Sequence, residues 1–190
     1  MSRILAAAAL CLVLAACSDS SLSMSEYGDR LNEIRGTYEP QAEAVWVEYL
    51  QVPQPTLEDL RVFIGREVAI RTEIEDEIRA LDPPEEIVDL HGLLADWITA
   101  LRQAGEGLRD RVGTVAGWDN LFESAEYRTF ETTLTGGTVV CAEFQAKLDS
   151  TAARGVFADT PWIPSEMKEV VDAVIGCDTI PEDVDDVFRR

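Results

Sequence analysis

Apolar residues recur at steps of three and four through four long segments of this chain, and prolines mark most of the joints between them. That spacing puts side chains on one face of an α-helix, so each segment predicts an amphipathic helix with one side to bury. In the first, Tyr27, Leu31, Ile34, Tyr38, Ala42, Val45 and Tyr49 form the stripe, and Ser25 is placed to cap it. Pro40 falls inside the pattern, where it removes a backbone donor and crowds the preceding turn. A kink or break is therefore expected near Tyr38-Glu39. Val52-Pro53-Gln54-Pro55 stops the helix, and Thr56 with Asp59 opens a second one in capping-box register. Its stripe runs Leu57, Leu60, Ile64, Val68, Ile74, Ile78 and Leu81.

Asp82-Pro83-Pro84-Glu85 ends that helix and starts the third, with Asp82 as the expected cap and Pro84 in the first turn. Ile87, Leu90, Leu94, Trp97, Leu101, Ala104 and Leu108 then alternate as in a bundle seam. Gly105, Gly107, Gly113 and Gly117 predict that its far end frays into a loop. A fourth helical region spans residues 121–153 through Phe122, Phe130, Leu134, Cys141, Phe144 and Leu148, with Gly136-Gly137 as a candidate interruption. Residues 154–164 read as a loop, and Ser165 opens a short helix ended by Gly176. The acidic residues 178–190 are expected to be loose. No segment alternates with period two for more than a few residues, so strands have no support. The expected fold is all-α, an antiparallel bundle of about four long helices plus a short C-terminal helix over residues 25–177.

Ahead of the bundle, Arg3 precedes an apolar run over residues 4–14, which Leu14-Ala15-Ala16-Cys17 closes. This is the layout of a secretory signal peptide. It is too short to span a bilayer, which takes about 20 residues. Leu14-Ala15-Ala16-Cys17 resembles the lipobox of bacterial lipoproteins. The resemblance covers residues 1–17 and implies cleavage after residue 16, with Cys17 acylated on its thiol as the mature N-terminus. Residues 17–24, with Ser18, Asp19, Ser20, Ser21 and Ser23, then read as a polar tether. Several fatty chains on one cysteine supply firm anchoring. The expected location is the cell envelope, lipid-anchored on the extracytoplasmic face of a bacterial membrane.

Cysteine usage agrees with export. Cys11 leaves with the signal peptide and lipid takes Cys17, so Cys141 and Cys177 remain. An exported chain with one such pair predicts a disulfide. The body, with its Pro-Pro joint, histidine-bearing helix, late cysteine pair and lysine-poor usage, also resembles uncharacterised helical lipoproteins of high-GC bacteria. That likeness transfers no active site.

Charge narrows the partners. The chain has 16 basic and 36 acidic side chains, a formal charge of −20. Residues 1–16 hold Arg3 and no acid, so the mature chain has 15 and 36 and a charge of −21. Nucleic acid needs a basic patch, and anionic headgroups repel such a surface.

Individual residues offer little chemistry. His91 lies two positions from Asp89, but residues two apart on a helix do not face each other. Glu73, Glu75, Asp76, Glu77, Asp82, Glu85, Glu86 and Asp89 form the densest acidic stretch. It lacks the spacing of a calcium loop and reads as a solvated face. Trp46 and Trp97 fall in or beside the core stripes, whereas Trp118 and Trp162 lie in loops and are candidates for recognition. No catalytic set, metal signature or cofactor motif is assigned. The expected role is a membrane-anchored, non-catalytic interaction or envelope protein whose protein partner or ligand stays open. The alternatives are a small-ligand-binding lipoprotein with an interhelical cleft and, behind it, a carboxylate-based hydrolase.

Overall fold

Ser23, two residues before the expected Ser25, starts the first helix. Its hydroxyl accepts from the Glu26 N–H at 3.3 Å, and the Glu26 carboxylate accepts from the Ser23 N–H at 2.9 Å. Ser25 has Gly28 at the corresponding third position, so only Ser23 can build this reciprocal pair. The computed structural model describes residues 21–175 together with Cys177, Val184 and Phe188. The expected signal peptide, Cys17 and Gly176 lie outside the described residues.

Helix α1 runs Met24–Leu50 without a break at Pro40. Pro40, Glu39 and Gly36 are all exposed, so water can satisfy the carbonyl that Pro40 leaves without a partner. Helix α2, Leu57–Ala80, opens on the Thr56–Asp59 capping box as the sequence predicts. Asp82 does not cap the next helix; its carbonyl accepts from the Leu22 N–H at 2.8 Å and ties the segment before α1 to this joint. A 3-10 turn at Glu85–Ile87 leads into α3, Val88–Val112.

Helix α3 continues through Gly105 and Gly107 instead of fraying, because Leu108 and Val112 are buried in its last turn. Packing of an apolar face outweighs the local glycine cost, which is about 1 kcal/mol per residue. The expected fourth region divides into a short α4, Trp118–Phe122, and a long α5, Ala125–Ala153. Ser124 makes the division, accepting from the Tyr127 N–H at 3.2 Å. Gly136-Gly137 does not interrupt α5. Helix α6, Ile163–Ile175, begins two residues before Ser165, with Pro164 in its first turn, where a missing N–H costs nothing.

Cross-helix pairs give the directions. Tyr38 meets Glu77, Val68 meets the site of Gly105, and Arg111 pairs with Glu126, so α1, α2, α3 and α5 run alternately up and down. Helix α6 sits between α1 and α5 and runs parallel to α1, since Gly28 meets Ile163 and Arg35 meets Glu169. All described regular structure is helical, an all-α bundle of four long helices with a short C-terminal helix. The Cys141–Cys177 disulfide joins α5 to the chain after α6, with the Cα atoms 6.0 Å apart. Among the described residues no helix is long and apolar enough to cross a membrane.

Two tail positions correct the expectation of a loose C-terminus. Val184 and Phe188 are each 1 % exposed. The Phe188 ring packs against Tyr49 of α1, Phe63 of α2, and Tyr127 and Phe130 of α5, at centroid distances from 6.2 to 6.4 Å. The rest of residues 178–190 lies outside the described residues.

Glycine substitutions separate packing from propensity. A Cβ on Gly28 would stand 2.5 Å from Cδ1 of fully buried Ile163, whereas one on Gly36 meets nothing within 4 Å. Chemical denaturation should show Gly28→Ala losing about 1–3 kcal/mol and Gly36→Ala gaining roughly 0.5–1 kcal/mol. The disulfide closes a 36-residue separation, for which the chain-entropy account gives about 4 kcal/mol. Unreduced protein should resist alkylation at Cys141 and Cys177, and reduction should lower stability by up to that amount.

Candidate functional site

Two glutamates occupy core positions of α2. Glu67 and Glu75 are eight residues apart, and only 6 % and 8 % exposed. Each is followed four residues later by an arginine, in the Glu-before-Arg order that a helix favours. Their surroundings differ.

Glu75 faces α3. Thr99 donates to its Oε1 at 2.6 Å, Arg102 Nε donates to its Oε2 at 2.5 Å, and Arg79 Nε donates to Oε1 at 3.1 Å. Asp96 and Glu106 then engage the far sides of Arg79 and Arg102 at 3.6 and 2.9 Å. Burial pushes the Glu75 carboxyl up more strongly than any single partner pulls it down. The hydrogen bonds from Thr99, Arg102 and Arg79 together prevail and hold it at about 2.

Glu67 has less help. Arg71 Nη2 donates to Oε2 at 3.1 Å, while Oε1 is buried with no hydrogen-bond partner. Both side chains line a crevice of about 20 Å³ between α1, α2, α3 and α5. Its other walls include Trp46, Phe63, Phe130 and Gly105, and Glu67 and Arg71 are its only charged members. Gly105 brings α3 close, since a Cβ there would lie 2.9 Å from Val68 Cγ2. A glycine also offers Glu67 no donor. The volume admits about one water-sized species.

The residues singled out from sequence lie elsewhere. Trp118 is partly buried and stacks on Phe122 with centroids 5.6 Å apart. Trp162 is 49 % exposed just before α6. Neither lines the crevice. His91 is half-buried, and its Nδ1 shares a hydrogen bond with the Tyr27 hydroxyl at 3.1 Å instead of meeting Asp89. Burial keeps that phenol protonated. Burial, reinforced by the Arg79 charge, also lowers the His91 pKa below 6.5. In the acidic stretch Glu75 turns inward and Glu77 accepts from Tyr38 at 2.7 Å. Among the described residues no three histidine, cysteine or acidic side chains are grouped to hold a metal ion.

Sequence reading missed Glu67 and Arg71 as a site. The available signal was the Glu-x3-Arg spacing, repeated after eight residues, with both glutamates in the buried stripe of α2. Compared with protein families, curated proteins and solved structures, the chain matches none.

Two pH windows follow. His91 has a folded pKa below its ordinary 6.5, so the unfolded chain binds the proton first and stability falls as pH drops below about 6.5. Glu75 has a folded pKa near 2 against 4.5, so its contribution is complete above 4.5 and is lost as pH falls toward 2. Urea unfolding across pH should show both losses, and Glu75→Gln should remove much of the lower one. His91 is the chain's sole histidine, so its NMR titration midpoint reads directly and should lie below 6.5.

Proposed function

We propose that this chain is an exported lipoprotein held on the outer face of a bacterial membrane through Cys17, with the helical bundle as a non-catalytic interaction module. The observation that carries the reading is Leu14-Ala15-Ala16-Cys17 after a short apolar run. A disulfide in the same chain supports it, because such bonds persist in oxidising compartments outside the cytosol. The six residues 18–23 separate Cys17 from α1, and six extended residues reach about 20 Å. On this reading the start of α1 stays within that distance of the headgroups.

The tethered end then presents the exposed Trp162, since its neighbour Ile163 packs beside Gly28 near the start of α1. An amphipathic ring at that level suits a membrane interface or a partner close to it. The surface charge keeps the rest of the bundle off anionic lipid. A hydrolase reading draws no support from Glu75, which is held ionised and so is no proton donor.

Fractionation of cells making the intact chain provides the test. Wild type should enter the membrane fraction and incorporate a fatty-acid label, whereas Cys17→Ala should lose the label and normal processing. A Cys17→Ala chain that is processed normally and stays membrane-bound would overturn the anchor.

A further inference from the structure

We propose that Trp162 docks the bundle on its membrane, its ring seated at the level of zwitterionic headgroups. The bundle then stands on the bilayer by the end that holds the start of α1. The inference rests on the lipid anchor at Cys17 and adds which face of the domain meets the lipid. Its starting point is an exposed indole. Among the described residues six large apolar side chains are left exposed: Val47, Leu50, Val62, Val88, Val139 and Trp162. Trp162 is the aromatic one.

Contacts to α1 place it. Ile163 packs against Gly28, four residues or about 6 Å past the first residue of α1. Helix α6 runs parallel to α1, so Trp162, just before Ile163, lies on the side toward the start of α1. His91 meets Tyr27 at 3.1 Å, and Val88, one turn before His91, therefore shares that level; like Trp162 it is 49 % exposed. The tether ends there too. The Leu22 N–H donates to the Asp82 carbonyl at 2.8 Å, so only residues 18–21 separate Cys17 from a fixed point of the bundle. Five residue steps reach at most about 18 Å.

That reach selects among the exposed apolar positions. Leu50 lies 26 residues past Met24, about 39 Å along α1, with Val47 one turn before it. Val62 sits near the start of α2, at the same far end. Val139 lies 14 residues, about 21 Å, before the end of α5. Trp162 and Val88 remain at the tethered end, where the lipid surface is held. An indole pairs an apolar ring with a polar N–H, so it gains most at headgroup level and less in the acyl core. Charge sets the headgroup class. Glu26, Glu85, Glu86 and Asp159 are exposed at this end, so anionic headgroups repel it. Zwitterionic ones admit the ring and leave the carboxylates in the water layer above.

Tryptophan fluorescence of the intact, lipidated chain in phosphatidylcholine vesicles tests this, with bromine on the acyl chains, near the headgroup or near the methyl end, as quencher. Wild type should be quenched, and more by the shallow bromines than by the deep ones. Trp162→Phe should lose that quenching, because Trp97 is buried and Trp46 and Trp118 are partly buried toward the far end. The exposed position lets this variant fold. Replacing phosphatidylcholine by phosphatidylglycerol should reduce the quenching of wild type, most at low salt; undiminished quenching there would overturn the headgroup preference. Fatty-acid labelling and vesicle flotation are read on the same sample. An unlabelled chain that stays off the vesicles overturns the anchor, and this inference with it. A labelled, vesicle-bound chain that is unquenched, or equally quenched with and without Trp162, overturns the docking face alone and leaves Trp162 to solvent or a protein partner.

Discussion

The seam between α2 and α3 must bury carboxylates, and the rest of the bundle is arranged around how it does so. Desolvating an ionised glutamate costs several kcal/mol unless hydrogen bonds replace its water. Glu75 meets that demand with Thr99 and Arg102 from α3 and Arg79 from its own helix. These bonds work only at one axial offset of the two helices. They therefore fix a register that apolar contacts, which are non-directional, would leave free to slide. Two helical turns earlier the same register sets Gly105 against Val68, where close approach requires the glycine. The same glycine deprives Glu67 of a cross-helix donor. One register thus explains both the satisfied carboxylate and the incomplete one.

Closure of the bundle depends on contacts distant in sequence. Helix α6 fills the space between α1 and α5, and it approaches α1 so closely that Gly28 has no room for a side chain. The disulfide fixes the chain after α6 to α5. Phe188 then packs among Tyr49, Phe63, Tyr127 and Phe130, with aromatic partners from three helices. Phe63 and Phe130 also line the Glu67 crevice, so Phe188 packs against two of its wall residues.

Much of this was legible because each long helix buries a continuous stripe. All seven stripe residues expected for the third helix, from Ile87 in the 3-10 turn to Leu108 in α3, are buried, and the Thr56–Asp59 box forms as its spacing demands. What was not legible shares one physical cause. Pro40, Gly105, Gly107 and Gly136-Gly137 are weak positions locally, and each lies in a helix whose tertiary packing repays the local cost. Val184 and Phe188 lie in an acidic run where Ile180, Val184, Val187 and Phe188 have helical spacing that the charge obscured, and the ring partners of Phe188 are more than 50 residues away. Glu67 and Glu75 were hidden differently. Judged by residue type they belong to a solvated face, while judged by position they belong to the core, and the following arginines reconcile the two.

The two ends of the bundle are chemically unlike. One end holds the start of α1, the Tyr27–His91 bond and exposed Trp162. Trp46 on the crevice wall lies 22 residues beyond Met24, or about 33 Å along α1 at 1.5 Å per residue. A lipid on Cys17 would hold the first end at the membrane and turn the crevice toward the surrounding solution. The acidic surface then serves both ends, holding the domain off anionic lipid and concentrating cations around it.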